Sequence, residues 1–327
     1  MFVNPLRAQG AGGLPDADLQ DAASFAPDLP VTPLRETPEL AGLLGLTSLL
    51  IKDETSRWGL NAFKITGVGY AMDRWRAAGG QHRGYVTASA GNHGRAVARV
   101  ARERGVRCRV FLPADTLPAR VRAIGAEGSD VEQIDGTYED AVARAAGEAE
   151  RTGAILVSDT TPPGDPAIPA LILRGYTKIF SEAASAWHEP PDLVVVQGGV
   201  GGLVGAAAAW MRTRLPDATL MAAEPEGAAC LLESARAGRP VTLASTAPTS
   251  MVCLRCATPN AAAWPFIASG ADGFVTVSDE EAAGAVRALA DAGIASGASG
   301  ACGLAGLMAV APAFAGRRAL VIVTEGP

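Results

Sequence analysis

A single lysine stands among small and apolar residues in the stretch GLNAFKITG, residues 59–67. Lysine is rarely fully buried unless its ammonium group is paired or used chemically. A partly desolvated lysine amine loses its proton more easily and can then attack a carbonyl carbon to form a Schiff base. The neighbours Asn61, Ala62 and Phe63 favour this chemistry for Lys64. The alternative is a solvated lysine near a helix start, which is the common environment of an isolated lysine.

A second stretch, TASAGNHGR, places polar residues and glycines where a predicted strand ends and a predicted helix begins. Free backbone N–H groups and the helix dipole favour an anion at such a position. Ser89 and Asn92 add a hydroxyl and an amide, and Gly91 and Gly94 allow the backbone to come close to a ligand. The alternative is an ordinary helix start in which Asn92 is the N-cap.

A third stretch, QGGVGG, follows an apolar strand and precedes a helix, and it holds the glycines Gly198, Gly199, Gly201 and Gly202. Such a turn can surround a phosphate with backbone donors alone. Its spacing departs from the dinucleotide fingerprint, because Val204 occupies the third glycine position. Glu224 nevertheless ends the next strand, where a ribose-binding acid would stand, so a nicotinamide-dependent oxidoreductase is a competing interpretation.

The elements that must position these residues follow a regular alternation from residue 84 onward. Strand patterns such as GYVTAS, DVEQI, DLVVVQGG and ALVIVTEG take turns with helical patterns such as NHGRAVARVARERG and PARVRAIGA. This alternation is typical of parallel sheets covered by helices on both faces. We therefore predict an α/β protein of two parallel-sheet lobes, with the active site in the cleft between them. Residues 1–30 are interpreted as an extended or weakly ordered arm.

Composition restricts the partners and the compartment. The 327 residues, 48% of them hydrophobic, are enough for two lobes with their own cores. A net charge of −6 without a basic run predicts no nucleic-acid partner, and the absence of a long apolar run predicts no membrane contact. Five scattered cysteines and no secretory pattern indicate free thiols in the cytoplasm. The lone CxxC at Cys253 and Cys256 has no second pair or nearby histidine, so we predict no metal.

The lysine, asparagine and glycine stretches, in this order, resemble the fold-type II family of pyridoxal-phosphate enzymes. This family includes serine and threonine dehydratases and tryptophan synthase β chains, and the sequence is most similar to the diaminopropionate ammonia-lyases. The stretches that carry the resemblance are TPLRETPELAGLLGLTSLLIKDETSRWGLNAFKITG, GNHGRAVA, SDTTPPGDPAIPALILRGY, QGGVGG, AAEPEGAACLLESARAG and SMVCLRCATPNAAAWP. The resemblance implies a large cofactor-binding domain of residues 1–71 and 166–327, and a small α/β domain of residues 72–165. Since the family is commonly dimeric, it also implies a homodimer.

The resemblance implies pyridoxal 5′-phosphate as the cofactor and assigns residues to it. Lys64 would hold the cofactor as an imine, Phe63 would lie against it, and Asn92 would hold its 3′-oxygen. The phosphate would lie on the loop made of Gly198, Gly199, Val200, Gly201 and Gly202. Thr324, in VIVTEG, would face the pyridine nitrogen. A neutral hydroxyl leaves that nitrogen largely unprotonated, which suits loss of a β-leaving group. The alternative for Thr324 is an ordinary residue at a strand end.

One position departs from the ammonia-lyase pattern. Ala90 stands where those enzymes carry an aspartate, as in many serine and threonine dehydratases, while Asp159 in LVSDTT matches their second acid. In the family the two acids serve opposite substrate enantiomers, so the resemblance implies turnover of L-amino acids and little of D-diaminopropionate. Asp159 becomes the main acid–base residue beside Lys64. The alternative for Asp159 is a strand-end aspartate that caps the next turn.

These residues predict a pyridoxal-phosphate-dependent lyase. It would catalyse α,β-elimination on a small amino acid of the 2,3-diaminopropionate type, giving a 2-oxo acid and ammonia. Ser89, Ala90, Gly91 and His93 would contact the substrate, whose carboxylate would lie on N–H groups around this loop. An L-serine or L-threonine dehydratase or a β-substituted alanine lyase is the alternative within the class. A regulatory pseudo-enzyme that binds an amino acid or cofactor is the alternative outside it, and it would not require Lys64.

Overall fold

The computed structural model describes residues 1–7, 12–81, 83–160 and 167–327. The chain forms two compact units: unit 1 consists of Met1–Phe63 and Tyr176–Pro327, and unit 2 of Lys64–Gly175. The division that the resemblance implies at 71/72 stays a prediction. Its second boundary, 165/166, falls at a position outside the described residues.

Strands and helices alternate along most of the chain. The strands are β1 (Phe2–Val3), β2 (Leu34–Glu36), β3 (Ser48–Asp53), β4 (Tyr85–Thr87), β5 (Cys108–Pro113), β6 (Asp130–Ile134), β7 (Ile155–Leu156), β8 (Leu193–Gln197), β9 (Thr219–Pro225), β10 (Gly273–Val277) and β11 (Arg318–Val323). The α-helices are α1 (Asp16–Ala23), α2 (Pro38–Leu43), α3 (Lys64–Ala77), α4 (Asn92–Glu103), α5 (Pro118–Ala126), α6 (Tyr138–Thr152), α7 (Ala167–Ala184), α8 (Gly202–Arg214), α9 (Cys230–Ala237), α10 (Trp264–Gly270), α11 (Asp279–Asp291) and α12 (Ala298–Val310). Short 3₁₀ turns lie at Arg57–Gly59, Glu226–Ala228, Val252–Leu254 and Ala311–Phe314.

Unit 1 is built on a sheet whose strand order, over the described residues, is β1-β10-β9-β8-β11-β3-β2. The interior pairs are parallel, and only the edge strands β1 and β2 run antiparallel to their neighbours. Every residue of β8 is buried, as expected for a strand covered on both faces. The apolar helix α12 packs into the same core, because a helix without a polar face must be buried.

Unit 2 has its own parallel sheet in the order β6-β5-β4-β7. Its core packs Val86 and Phe111 of the sheet against Ala141, Ala145 and Ala149 of α6. Two independent parallel sheets covered by helices confirm the predicted α/β class. The bounds of β6 and α5 coincide with the stretches DVEQI and PARVRAIGA that the pattern predicts.

The interpretation of residues 1–30 as an extended or weakly ordered arm is wrong for one segment, the helix at Asp16–Ala23, whereas Phe2–Val3 is an extended strand. Residues Asp16–Ala23 form α1, which buries Leu19 and Ala22, and Phe2–Val3 pair with β10. Because α1 buries only two side chains, its sequence carries too weak an apolar pattern to be recognised locally. Its contacts with the rest of unit 1 decide that it is helical.

A network of buried charges joins the segment that leads to Lys64 with helix α7. The guanidinium of Arg57, which is 0% exposed, donates to both carboxylate oxygens of Glu54 and to both of Glu182. Lys52 Nζ donates to Glu182 and to Thr32. Each buried charge therefore has opposite charges and hydrogen bonds around it, which is the condition for burying it.

Two features are absent from the described residues. None of their helices combines the length and the apolar character needed to cross a membrane. Within the same ranges, no group of three or more His, Cys, Asp and Glu side chains is arranged to hold a metal ion.

Candidate active site

Lys64 is the first residue of α3 and of unit 2, and its amine is paired with the predicted acid. The distance from Lys64 Nζ to Asp159 Oδ2 is 2.7 Å, although the two residues are 95 positions apart. The Lys64 and Asp159 side chains are 22% and 19% exposed, so both remain accessible to a ligand. An amine and a carboxylate at this distance can share or pass a proton directly.

His93 joins this pair from α4. Its Nδ1 lies 3.7 Å from Asp159 Oδ2, and its Nε2 lies 3.0 Å from the carbonyl oxygen of Val157. Since a carbonyl oxygen can only accept, the proton of the neutral ring is assigned to Nε2, and Nδ1 presents a lone pair toward the carboxylate. Among the described residues Nδ1 has no hydrogen-bond partner, and the side chain of His93 is buried.

The protonation of this cluster follows from burial and charge. Burial lowers the pKa of His93, and the Lys64 charge lowers it further against the opposing effect of Asp159, so the ring is neutral near pH 7. Burial would raise the pKa of Asp159, but the charge of Lys64 and its hydrogen bond hold that pKa well below its usual range. In this state Asp159 is a carboxylate that can accept a proton.

The loop before α4 is shaped by close backbone contacts. A Cβ on Gly94 would collide with the carbonyl oxygen of Ser89, so only glycine fits there. Gly91 donates its N–H to Ser89 Oγ at 3.4 Å and is the N-cap of α4. The alternative in which Asn92 caps the helix is therefore wrong: Asn92 is the first helical residue, one position further on. Ser89, Ala90, Gly91 and Asn92 are half-buried, whereas His93 points inward, and their substrate and cofactor contacts stay predictions.

The glycine loop of unit 1 packs closely against neighbouring side chains. A Cβ on Gly198 would lie 2.6 Å from Leu231 Cδ1, and one on Gly199 would lie 3.2 Å from Cys256 Sγ. Gly201 has φ +91°, a conformation that favours glycine. Gly201 therefore favours glycine through its backbone conformation, whereas a side chain at Gly198 or Gly199 would force its neighbours to shift.

Two carbonyl groups of this loop accept hydrogen bonds from other segments of unit 1. Cys230 Sγ donates to the Gly199 oxygen at 3.5 Å, and the Asn260 N–H donates to the Val200 oxygen at 2.7 Å. By contrast, the N–H groups of Gly199, Val200, Gly201 and Gly202 have no acceptor within the described part of the chain. These unpaired donors at the start of α8 form a cradle for an anion.

Glu224 does not lie where a ribose-binding acid must lie. Its carboxylate is fully buried and accepts the N–H groups of Leu231 and Leu232 at the start of α9. Burial raises its pKa to about 8, despite these two hydrogen bonds. A carboxylate that is engaged in this way cannot reach a ribose hydroxyl, which counts against the dinucleotide alternative.

Thr324 follows β11 and lies next to Gln197 at the end of β8. Gln197 Nε2 is 2.9 Å from Thr324 Oγ1, and the Thr324 carbonyl oxygen accepts the N–H of Phe63 at 3.1 Å. The Phe63 ring packs on Tyr176, with 4.8 Å between the ring centroids. The residue directly before Lys64 is therefore fixed to the strand end that carries Thr324.

Comparison with known proteins identifies the family. A family model described as "Pyridoxal-phosphate dependent enzyme" matches residues 26–325. The chain belongs to this family. The predicted enzyme family and its cofactor, pyridoxal phosphate, are thereby confirmed.

Individual relatives match over most of the chain. The diaminopropionate ammonia-lyase of Escherichia coli (strain K12) is 31% identical over 309 residues, which cover 88% of this chain and 77% of the relative. A crystal structure of the Escherichia coli enzyme, in complex with an aminoacrylate-PLP azomethine reaction intermediate, matches with a TM-score of 0.90 and 28% identity. The match covers 99% of this chain and 92% of that one. The biosynthetic L-threonine dehydratase of Mycobacterium tuberculosis (strain ATCC 25618 / H37Rv) is 33% identical over 238 residues, 70% of this chain and 52% of the relative.

Each unit, taken by itself, presents groups of a kind that suits pyridoxal phosphate. Unit 1 supplies a row of unpaired N–H donors for a phosphate dianion, and a hydroxyl at Thr324. Unit 2 supplies an accessible lysine amine next to a carboxylate. The roles assigned to the individual residues, from Phe63 and Lys64 to Thr324, stay predictions within this family.

Several residues around the site were not predicted from the sequence. Gln197 stands directly before the glycines of QGGVGG, and Asn260 lies in SMVCLRCATPNAAAWP, but no role was predicted for either side chain. The residues Lys52, Glu54 and Arg57 occur in IKDETSRWG, within the stretch that leads to Lys64, and no role was predicted for them. Only Gln197 carried a usable signal, because a polar side chain ending an apolar strand in a parallel sheet points to a site.

Proposed function

We propose that this pyridoxal-phosphate enzyme is a lyase that eliminates ammonia from L-2,3-diaminopropionate. The products would be pyruvate and two molecules of ammonia, with one water consumed. The observation that carries the proposal is the 2.7 Å contact of Lys64 Nζ with Asp159 Oδ2. The similarity of the whole chain to diaminopropionate ammonia-lyases supports the same conclusion.

The chemistry divides between the cofactor and the chain. When bound to the substrate amine, pyridoxal phosphate withdraws electrons from the α-carbon and makes its C–H bond acidic. Lys64 or Asp159 then accepts the α-proton, and the β C–N bond breaks as ammonia leaves. A protonated amine leaves far more easily than a neutral one, so a group that keeps the β-nitrogen protonated is needed. Asp159 can do this as a hydrogen-bond acceptor for the ammonium form.

The proton balance of the cluster changes when Lys64 is engaged by the cofactor. The ammonium of Lys64 then no longer lowers the pKa of Asp159, whereas burial still raises it. The pKa of Asp159 would be higher in that state, which precedes removal of the α-proton, because Lys64 is released once the substrate amine has taken its place. The ring of His93 is fixed through Nε2 on Val157, and its unprotonated Nδ1, 3.7 Å from Asp159 Oδ2, makes no hydrogen bond to that carboxylate.

A dehydratase of L-serine or L-threonine is the second candidate. It is supported by the uncharged Ala90 in the loop before α4 and by the match to an L-threonine dehydratase. A hydroxyl is a weaker base than an amine, so its departure requires a proton donor at the β-position. A protonated Asp159 would have to supply that proton, whereas an ammonium group brings its own.

The test is a substrate screen that measures 2-oxo acid from holoenzyme. It compares L- and D-2,3-diaminopropionate, L-serine, L-threonine and β-chloro-L-alanine at equal concentrations, with Lys64→Ala as the inactive control. L-2,3-diaminopropionate is expected to give the highest kcat/KM. A higher value for L-serine or L-threonine would replace the proposal with the dehydratase.

Oligomeric state, compartment and domain division are further proposals. We propose a cytoplasmic homodimer with a large cofactor-binding domain (1–71 and 166–327) and a small domain (72–165). All five cysteines lie in the described ranges and none of them forms a disulfide there, which supports a reducing compartment. Light scattering after size-exclusion chromatography measures the mass, and a value equal to the monomer would contradict the dimer.

A further inference from the structure

Gln197 makes an unusual set of contacts at the end of β8. Its side chain is buried, and Nε2 lies 2.9 Å from the Gly300 oxygen, 3.0 Å from the Ile322 oxygen and 2.9 Å from Thr324 Oγ1. The Ser299 oxygen is at 3.5 Å. Three of these four atoms are carbonyl oxygens, which can only accept.

This set determines the orientation of the Gln197 amide. If the amide were reversed, Oε1 would face the carbonyl oxygens without a proton between them, so the nitrogen must face them. Oε1 has no hydrogen-bond partner in the described part of the chain. Oε1 lies 2.7 Å from the position that a Cβ of Gly303 would occupy. The side chain of Gln197 therefore packs closely against α12, which holds it in place.

The orientation of Gln197 determines the polarity of the Thr324 hydroxyl. An amide N–H cannot accept a hydrogen bond, so Thr324 Oγ1 is the acceptor of the pair and its hydrogen must point away from Gln197. Over the described residues, no acceptor receives that hydrogen. The hydroxyl is therefore left as a donor for an acceptor outside the protein.

We propose that Gln197 is a positioning residue that holds the Thr324 hydroxyl as a hydrogen-bond donor to the ring nitrogen of the cofactor. This inference rests on the proposed function, in which Thr324 faces that nitrogen. An unprotonated pyridine nitrogen accepts a hydrogen bond, whereas a protonated one donates. A hydroxyl locked as a donor favours the unprotonated ring, and Gln197 is the residue that locks it.

The experiment measures the ring nitrogen directly. Protein is reconstituted with pyridoxal phosphate that carries ¹⁵N in the ring, and the ¹⁵N chemical shift is recorded without substrate for the parent and each variant. Thr324→Val removes the donor, and Thr324→Ser keeps it. Gln197→Met keeps the length of the side chain but releases the hydroxyl. Gln197→Glu, if it is protonated in this buried position, accepts from the hydroxyl and turns its hydrogen inward. The exposed Gln133→Met is the matched control.

The expected result is a resonance that moves in the same direction in Thr324→Val, Gln197→Met and Gln197→Glu, and stays at the parental position in Thr324→Ser and Gln133→Met. If Thr324→Val moves the resonance and neither Gln197 variant does, the role of Gln197 is overturned while the placement of Thr324 stands. If Thr324→Val leaves the shift unchanged, both are overturned. Turnover of L-2,3-diaminopropionate by the parent, measured separately, decides the proposed function independently. Because two Gln197 variants of different polarity are used, misfolding of one leaves the other to decide.

Discussion

Replacing Asp159 with asparagine keeps the size of the side chain and removes its negative charge. The structural cost should be small, because Lys64 and Asp159 retain 22% and 19% exposure and water screens their attraction. We expect the apoprotein to lose about 1 kcal/mol of unfolding free energy. The folded pKa of Asp159 lies below its unfolded value of about 3.9, so this stabilisation is complete above that pH. It is lost only as the pH falls through the lower folded pKa, which places the loss in strong acid.

The catalytic cost should be much larger. Loss of a general acid or base lowers turnover by about 10²–10⁴-fold. At about 1.36 kcal/mol for each factor of ten, this equals about 2.7–5.4 kcal/mol of transition-state stabilisation. A loss of this size exceeds the structural cost, so reduced stability cannot account for it. The assay couples 2-oxo acid formation from L-2,3-diaminopropionate to NADH oxidation by lactate dehydrogenase, and urea unfolding of the apoprotein measures the stability term.

The matched control is Asp115→Asn, which changes an exposed aspartate of the same unit. It should leave kcat/KM and unfolding near the parental values. If Asp159→Asn keeps more than about a tenth of the parental kcat/KM, Asp159 does not transfer the proton, since even a modest general acid–base contribution exceeds that.

The remaining predictions concern four other positions. Borohydride reduction of the holoenzyme followed by peptide mapping should place the pyridoxyl group on Lys64, and a label on any other lysine would contradict this assignment. Gly199→Asp should greatly weaken cofactor retention in dialysis. Its side chain would meet Cys256 Sγ at 3.2 Å and add a negative charge next to the phosphate dianion. Unchanged retention would exclude this loop as the phosphate site. D-2,3-diaminopropionate should be turned over poorly and Ala90→Asp should restore some of that activity, whereas equal parental rates for the two enantiomers would refute this interpretation of Ala90. Arg57→Ala should lower the free energy of unfolding in urea by about 3–5 kcal/mol, because it leaves two buried carboxylates without their main partner. The control Arg35→Ala, at an exposed position, should lower it by less than about 1 kcal/mol. Similar losses for the two variants would show that the buried network is not stabilising.

Local patterns were sufficient to predict many of the elements, though not α1, and the motif positions. The bounds of β6 and α5 follow from runs of five and nine residues, because a strand that pairs in a sheet and a helix that covers it each need their own periodicity. The loop at Gly198–Gly202 could be recognised for the same reason. Its glycines lie within five residues of one another, between an apolar strand and a helix, and they would bind a ligand through their own backbone N–H groups.

The sequence by itself thus determined the fold class, the position of the glycine loop and the family, since these depend on order and spacing along the chain. Tertiary structure alone brought Lys64 to Asp159 across 95 residues, and Gln197 to Thr324 across 127. It also decided that α1 is helical, that Gly91 caps α4, and that Arg57 is buried with Glu54 and Glu182. A hydrogen bond or buried ion pair forms only where folding removes water and fixes both partners, and no local pattern records which distant residue will be that partner.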